Sequence, residues 1–242
     1  MATSPRSSTR RAVDYPTSDG RPMAETDLHR QGMMDLIEAI QARYAADPMC
    51  YVTGNLLLFY EEGNRRRHVS PDVMVAFDRP KLPPRDYYLL WEEGKAPDVV
   101  IELTSKTTRR EDQRKKWVLY RDVLKVPEYF LFDPTSDWLK PSLQGFRLVD
   151  GDYVPIEMTA GDVLPSAILG LGLVRRGQEL RLFEGGRMLL TPREQVIVEQ
   201  ARADAERRIA EAERVRADDA EAQVARLLRE IEAMRRPGGN GA

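Results

Sequence analysis

Two Pro-Asp pairs stand directly before apolar runs in this chain, Pro71-Asp72 before Val73 to Phe77 and Pro97-Asp98 before Val99 to Leu103. The second run, Val99-Val100-Ile101-Glu102-Leu103, carries a carboxylate among residues that suit a buried strand. A buried carboxylate is costly to ionise unless it is paired or bound to a metal. Glu102 therefore has a partner that gives it chemistry, or it lies on an exposed face or pairs with an arginine. Asp98 shares a strand face with Glu102, but four residues at about 3.3 Å each set the two about 13 Å apart. They cannot chelate one ion. Asp72 comes from a separate strand and can lie beside Glu102 across a sheet. Such an oxygen-rich pair, with the Leu103 backbone carbonyl as a further ligand, suits Mg2+ or Mn2+.

A cation can come from the segment that follows. With Gln113, Trp117, Tyr120 and Leu124 on the inward face of a helix, Lys116 falls at the edge of the same arc and Lys115 points largely away. A lysine beside a bound metal and two carboxylates can orient or deprotonate a water, as phosphodiester hydrolysis requires. On helix position alone, a surface lysine with its stem laid along the protein is the plainer reading.

The elements that must hold these groups follow from periodicity. Residues 24–46 repeat apolar side chains (Leu28, Met33, Leu36, Ile37, Ile40, Tyr44) at helical spacing until Asp47-Pro48. The runs Tyr51 to Tyr60, Val73 to Phe77 and Val99 to Leu103 read as strands. Thr107 to Leu124 reads as a helix closed by Pro127, and Tyr129 to Phe132 as a further strand. Asp150-Gly151-Asp152 between Phe146 to Val149 and Tyr153 to Ile156 marks a hairpin, and Leu180 to Phe183 adds a strand to a β-rich extension. From Arg193 to Arg236 there is no Gly or Pro. There Ala217, Ala220, Val224, Leu227, Ile231 and Met234 alternate spacings of three and four, the seam of a coiled coil.

The whole-chain balance narrows the classes. The 242 residues, 42% hydrophobic and 31% charged, suffice for one well-packed domain with an appendage. The 37 Lys and Arg against 39 Asp and Glu give a net charge of -2, so binding of nucleic acid needs a local basic patch. Arg65-Arg66-Arg67 between two strands, and Arg109, Arg110, Arg114 and Lys115 along the helix, are the candidates for phosphate contact. A solvated loop and an ordinary charged helix face account for them equally well. The lone Cys50 excludes an intramolecular disulfide and a Cys-rich zinc site. No run approaches the roughly 20 apolar residues of a membrane span. The N-terminus lacks the apolar core of a signal peptide, so the cytoplasm is the expected compartment. The expected organisation is a flexible leader over 1–22, a domain over 23–190 including the β-rich extension, a coiled-coil helix over 191–236 and a disordered tail over 237–242.

Taken together, several of these motifs resemble the Uma family of restriction-endonuclease-like proteins. They are Asp72, the run Pro97 to Ser105, Arg109-Arg110-Glu111-Asp112, Lys116 to Tyr120, and Val126 to Pro134. Glu25-Thr26-Asp27-Leu28-His29 and Gly54-Asn55-Leu56-Leu57 fit a longer branch of it, and the resemblance covers about residues 24 to 185. It implies membership of the wider PD-(D/E)XK nucleases, with an α/β core of mixed sheet flanked by helices. The metal site it implies uses Asp72 and Glu102, with Mg2+ or Mn2+ and a nucleic-acid substrate, DNA foremost. The wider pattern has a lysine two residues after the second acid, where this chain has Thr104. In the Uma family a lysine of the next helix takes that place, matching Lys116, with Lys106 as a second candidate. Glu25 resembles an acidic residue that some of these nucleases supply from the first helix, although a helix start favours acids through its dipole alone. His29 matches a family histidine and reads as a structural, hydrogen-bonded imidazole.

The expected activity is metal-dependent endonucleolytic hydrolysis. The alternatives are a binding module of the same fold that cuts poorly, and an assembly protein whose coiled coil is the working part. A homodimer, through the core, the coiled coil or both, suits cleavage of two strands.

Overall fold

The protein is described by a computed structural model covering residues 15–18, 26–105 and 111–235. Glu25, Lys106, Arg109 and Arg110 lie outside the described residues. The elements in chain order are α1 (Asp27–Arg43), β1 (Cys50–Thr53), β2 (Leu58–Phe59), β3 (His68–Val69), β4 (Val73–Phe77), β5 (Tyr88–Leu89), α2 (Leu90–Glu93) and β6 (Val99–Leu103). Two π-helical stretches follow, Glu111–Lys116 and Leu119–Val123. Then come β7 (Glu128–Phe132), β8 (Leu143–Val149), β9 (Asp152–Pro155), β10 (Val163–Ser166), β11 (Leu171–Arg176), β12 (Glu179–Glu184), β13 (Arg187–Met188) and α3 (Pro192–Arg235). The chain divides into two units, residues 1–191 and 192–242.

The mixed α/β architecture expected from the sequence is present, with a central six-stranded sheet in the order β1-β4-β6-β7-β8-β9. Its middle pair, β6 and β7, is parallel, and Glu102 lies opposite Leu131. Every residue of both strands is buried. A parallel pair covered on both faces needs continuous apolar sequence, which is why these runs do not alternate. On one face Leu36 and Ile40 of α1 pack on Val73, Ile101, Leu103 and Phe130. On the other, Tyr120 and Leu124 cover Met74, Val100, Tyr129 and Leu131. Each fully buried aliphatic or aromatic side chain contributes roughly 1.5–3 kcal/mol, so the sheet is fixed from both sides. The two-residue alternation of a strand puts Glu102 on the same face as Val100, toward the segment that carries Lys116.

Several expectations are corrected. The run Tyr51 to Tyr60 is two strands in different sheets, since β1 pairs with β4 whereas β2 joins β3 and β5. The break falls where Asn55 takes φ 52°, a conformation that ends an extended strand. The helix expected up to Leu124 is π-helical for most of its described length. Leu124 N–H donates to Leu119 C=O five residues back, and over so short a stretch a 3.6-residue period does not distinguish α from π. The β8–β9 hairpin completes the central sheet, while β10 to β13 form a separate four-stranded sheet of which only the Leu180 to Phe183 strand was expected. Within the stretch read as a leader, Tyr15 is buried against Phe59 and accepts a hydrogen bond from Gly63 N–H.

Candidate active site

Antiparallel pairing of β4 with β6 sets Val73 opposite Ile101 and brings the residue before β4, Asp72, to the end of β6. Leu103 N–H donates to Asp72 Oδ2 at 2.7 Å, and Asp72 N–H donates to Glu102 Oε2 at 3.3 Å. The two acids that share no sequence neighbourhood are thus tied directly together. Gly54 makes the approach possible, because a Cβ there would stand 2.0 Å from the Asp72 carbonyl oxygen. Behind it, Asn55 N–H donates to the Pro71 carbonyl at 2.9 Å.

Glu102 is fully buried, at 0% exposure. The segment Glu111–Val123 grips both of its oxygens. Lys116 Nζ donates to Oε2 at 2.8 Å, and the Tyr120 hydroxyl donates to Oε1 at 2.7 Å. Lys116 also reaches the Ser70 carbonyl at 3.4 Å. Of the sequence alternatives for Glu102, an exposed face is excluded and the cation is a lysine. Tyr120 was expected on the inward face but was given no polar role. Its hydroxyl stays protonated as a donor, because burial and the Glu102 charge both raise its pKa well above the ordinary tyrosine value.

From the other face, α1 brings His29. Its Nε2 stands 3.5 Å from Asp72 Oδ2, at the outer limit of a hydrogen bond. Thr26 caps α1 by accepting from His29 N–H, and Gly32 lets the helix lie close to the sheet, where a Cβ would meet the Leu103 side chain at 2.9 Å. Burial pushes the Asp72 carboxyl up. The imidazole, the Lys116 charge and the Leu103 N–H outweigh it and hold Asp72 below the usual carboxylate range. Asp72 is therefore an anion at neutral pH.

The second Pro-Asp pair serves a different purpose. Asp98 Oδ2 accepts from Phe77 N–H at 2.8 Å and pairs with Lys95 at 2.9 Å, which pins the start of β6. Thr104, where the wider motif has lysine, is buried, and its N–H donates to Phe132 C=O.

Lys116 stands in the wall of a cleft of about 780 Å3, together with Arg66, Arg67, His68, Arg114 and Lys115. Members of both cationic clusters singled out in the sequence, Arg66 and Arg67 of one and Arg114 and Lys115 of the other, border this one space. Val118, Leu119 and Val123 supply its apolar side. His68 was not anticipated there. Its Nδ1 lies 3.0 Å from the Arg65 carbonyl, which can only accept, so Nδ1 carries the proton.

Oxygen donors define what the pair of acids can hold. Among the described residues no three His, Cys, Asp or Glu side chains gather as a metal-binding group. Mg2+ needs only one or two carboxylates when waters complete its octahedron. Asp72 and Glu102 fit that requirement, and Asp72 Oδ1 takes part in none of the contacts above.

A family model described as "Putative restriction endonuclease", Uma2, matches residues 6–177. The chain belongs to the Uma2 family. The match takes in all of the central sheet, both acids, Lys116 and the cleft. Among solved structures, this Uma2 protein is similar to "a putative nuclease belonging to DUF820" from Anabaena variabilis ATCC 29413. The two are 16% identical with a TM-score of 0.43, covering 61% of this chain and 76% of that one. No curated protein matches the sequence. Among the described residues no helix is long and apolar enough to cross a membrane.

Proposed function

We propose that this protein is a metal-dependent endonuclease that hydrolyses phosphodiester bonds of DNA. The observation that carries the reading is the convergence of Asp72, Glu102 and Lys116, with Lys116 in the wall of a cationic cleft. Asp72 and Glu102 are the residues that hold Mg2+ or Mn2+. The Leu103 carbonyl is a third donor, since in an extended strand a residue's C=O leaves by the same edge as its N–H, and the Leu103 N–H is directed at Asp72. Glu25, Arg109 and Arg110 are carried over from the sequence reading as a further acid and as phosphate contacts. When bound, the cation polarises the scissile phosphate and acidifies a water.

The chain's own residues do the rest. Lys116, paired with Glu102 at 2.8 Å, donates to the attacking water and to the phosphate oxygens on which negative charge builds. Water oxygen bonds to phosphorus as the bond to the leaving oxygen breaks; the attacking water loses a proton to solvent and the leaving oxygen takes one from solvent, which gives a phosphate monoester and an alcohol. Tyr120 keeps Glu102 from rotating away. Arg66, Arg67, Arg114 and Lys115 hold the flanking phosphates, an interaction that weakens steeply with salt.

The first test needs no guess at substrate sequence. Mn2+ and Mg2+ are titrated calorimetrically into wild type, Asp72→Ala and Glu102→Ala, with folding of each verified by circular dichroism. Saturable binding that both substitutions abolish supports the site. Supercoiled and linear DNA are then incubated with Mg2+, and the expected result is cleavage by wild type that Lys116→Ala and Asp72→Ala lose. Metal binding by folded wild type that persists in both acid variants would overturn the assignment.

A further inference from the structure

From Gln195 to the end of α3, every described side chain is exposed. The helix has 44 residues, about 66 Å at 1.5 Å per residue. Surface pairs such as Arg202–Glu206 and Arg226–Glu230 help it only slightly. Yet Val224, Leu227 and Ile231 are about half exposed, at 54%, 50% and 47%, and Met234 is 81% exposed. These four lie on one stripe.

Written as heptads, one seam position is apolar throughout: Val196, Ala203, Ala210, Ala217, Val224 and Ile231. The other changes character along the helix. It reads Glu199, Glu206 and Glu213, then Ala220, Leu227 and Met234. The stripe can therefore be buried on both seam positions only from Ala217 onward. There the first position is β-branched at Val224 and Ile231 while the second is Leu227, a combination that favours two parallel strands.

We propose that residues 217–234 pair with the same segment of a second copy in a parallel two-stranded coiled coil, and that the two helices part on the N-terminal side of Ala217. Charge complementarity selects a copy of this chain as the occupant. Arg216 flanks the seam on the side that faces Glu221 of the second copy, and the symmetric contact repeats it. Upstream, parallel pairing would set Glu199, Glu206 and Glu213 each against its own counterpart, and like charges force the strands apart. An antiparallel pairing of whole helices would instead place Glu206 and Glu199 against Val224 and Ile231, burying acids on apolar side chains. Because the first unit of each chain precedes its helix, parallel pairing joins both units to the same end of the coil. The pairing does not depend on the nuclease reading. If that reading holds, two cutting sites act on one substrate molecule.

Sedimentation equilibrium on the full chain is expected to give a dimer that Leu227→Asp converts to monomer while the circular dichroism of the first unit is unchanged. Orientation is read from Ala220→Cys under mild oxidation; Cys50 is 0% exposed and does not compete. In a parallel pair residue 220 faces its own counterpart, so a covalent dimer forms. In an antiparallel pairing of 217–234 on itself, residue 220 faces residue 231. Its counterpart is then about 16 Å away, beyond the roughly 7 Å limit of a disulfide. Glu206→Cys is expected to cross-link more slowly than Ala220→Cys. A wild type that stays monomeric, or a dimer that survives Leu227→Asp, would overturn the pairing. A Leu227-dependent dimer that fails to cross-link at 220 would overturn the orientation, and equal rates at 206 and 220 would overturn the parting of the strands.

Discussion

Glu102 and Glu128 are both fully buried carboxylates on the paired central strands, yet the two ends of that pair do different work. Glu102 is held chiefly by side chains, the Lys116 amine and the Tyr120 hydroxyl from one helical segment, and Lys116 in turn lines a cleft. Glu128 is consumed by the fold. It accepts from the Ser166 hydroxyl, from Ala167 N–H at 3.1 Å and from Ile168 N–H at 3.4 Å, and it pairs with Arg147 at 3.0 Å. These bonds fasten the end of β10 and the turn after it to the central sheet. Burial of an acid is therefore no mark of a site. A carboxylate that ties a turn to the sheet is a fastener, whereas one held by a lysine that lines a cleft is a candidate for chemistry.

Substitutions at the two acids separate the two roles most sharply. Glu102→Gln is expected to fold and to lose about a hundredfold or more of the cleavage rate. Glu128→Ala should instead lower stability by about 3 kcal/mol, with cleavage per folded molecule unchanged. Denaturant melts run alongside cleavage assays read both effects, and a Glu128 variant that folds normally but cannot cut would break the comparison.

Tyr120→Phe lies between these extremes. It strands one oxygen of a buried carboxylate, a cost of about 1–2 kcal/mol, and it frees Glu102 to turn. The expected signature is a fall in kcat of about tenfold, with KM for DNA held, since that ratio corresponds to about 1.4 kcal/mol. A drop in stability without any change in kcat would reduce Tyr120 to a packing residue.

Acid tests the fasteners as a class. Burial raises the Asp133 carboxyl, but the N–H groups of Trp138, Leu139 and Thr135 and the Thr135 hydroxyl outweigh it and leave its pKa lowered. Asp72 is lowered too. A depressed carboxylate contributes stability that is complete above its unfolded pKa of about 4 and is lost as pH falls through the folded value. Stability measured at pH 7 and pH 3 should therefore fall in wild type, and fall less in Asp133→Asn. The smallest effect belongs to Arg147→Met. The Arg147 side chain is 44% exposed, so removing its charge should cost no more than about 1 kcal/mol. A much larger loss would mean that Glu128 depends on its cation as Glu102 does.

What the sequence revealed divides along the same line. The β6 and β7 runs were legible because a doubly covered parallel pair cannot hide its composition. Asp72 and Glu102 were legible because Pro-Asp marks a strand entry and an acid among Val and Ile stands out. Lys116 was legible even though its helix is not α, since it and Tyr120, four apart, fall on one side in either geometry. The strands β2, β3 and β5 have two residues each and carry no period to read. The cleft was not legible either, because it exists only where the loop before β3 meets the helical segment in space. Glu128 was passed over because an acid after Val-Pro looks like the end of a loop until β10 arrives to use it.

The lysine and the acids reach the site by separate routes. Both acids are complete once residue 103 has been made, and they are bonded to each other through the main chain of the sheet. The lysine is seated by Trp117, which packs edge-on against Tyr129, Phe146 and Tyr153. During synthesis the chain thus carries its carboxylates for some fifty residues before the aromatic seat exists. Lys116 is the last part to be seated, so the candidate site is complete only after the residues of β9 have been made.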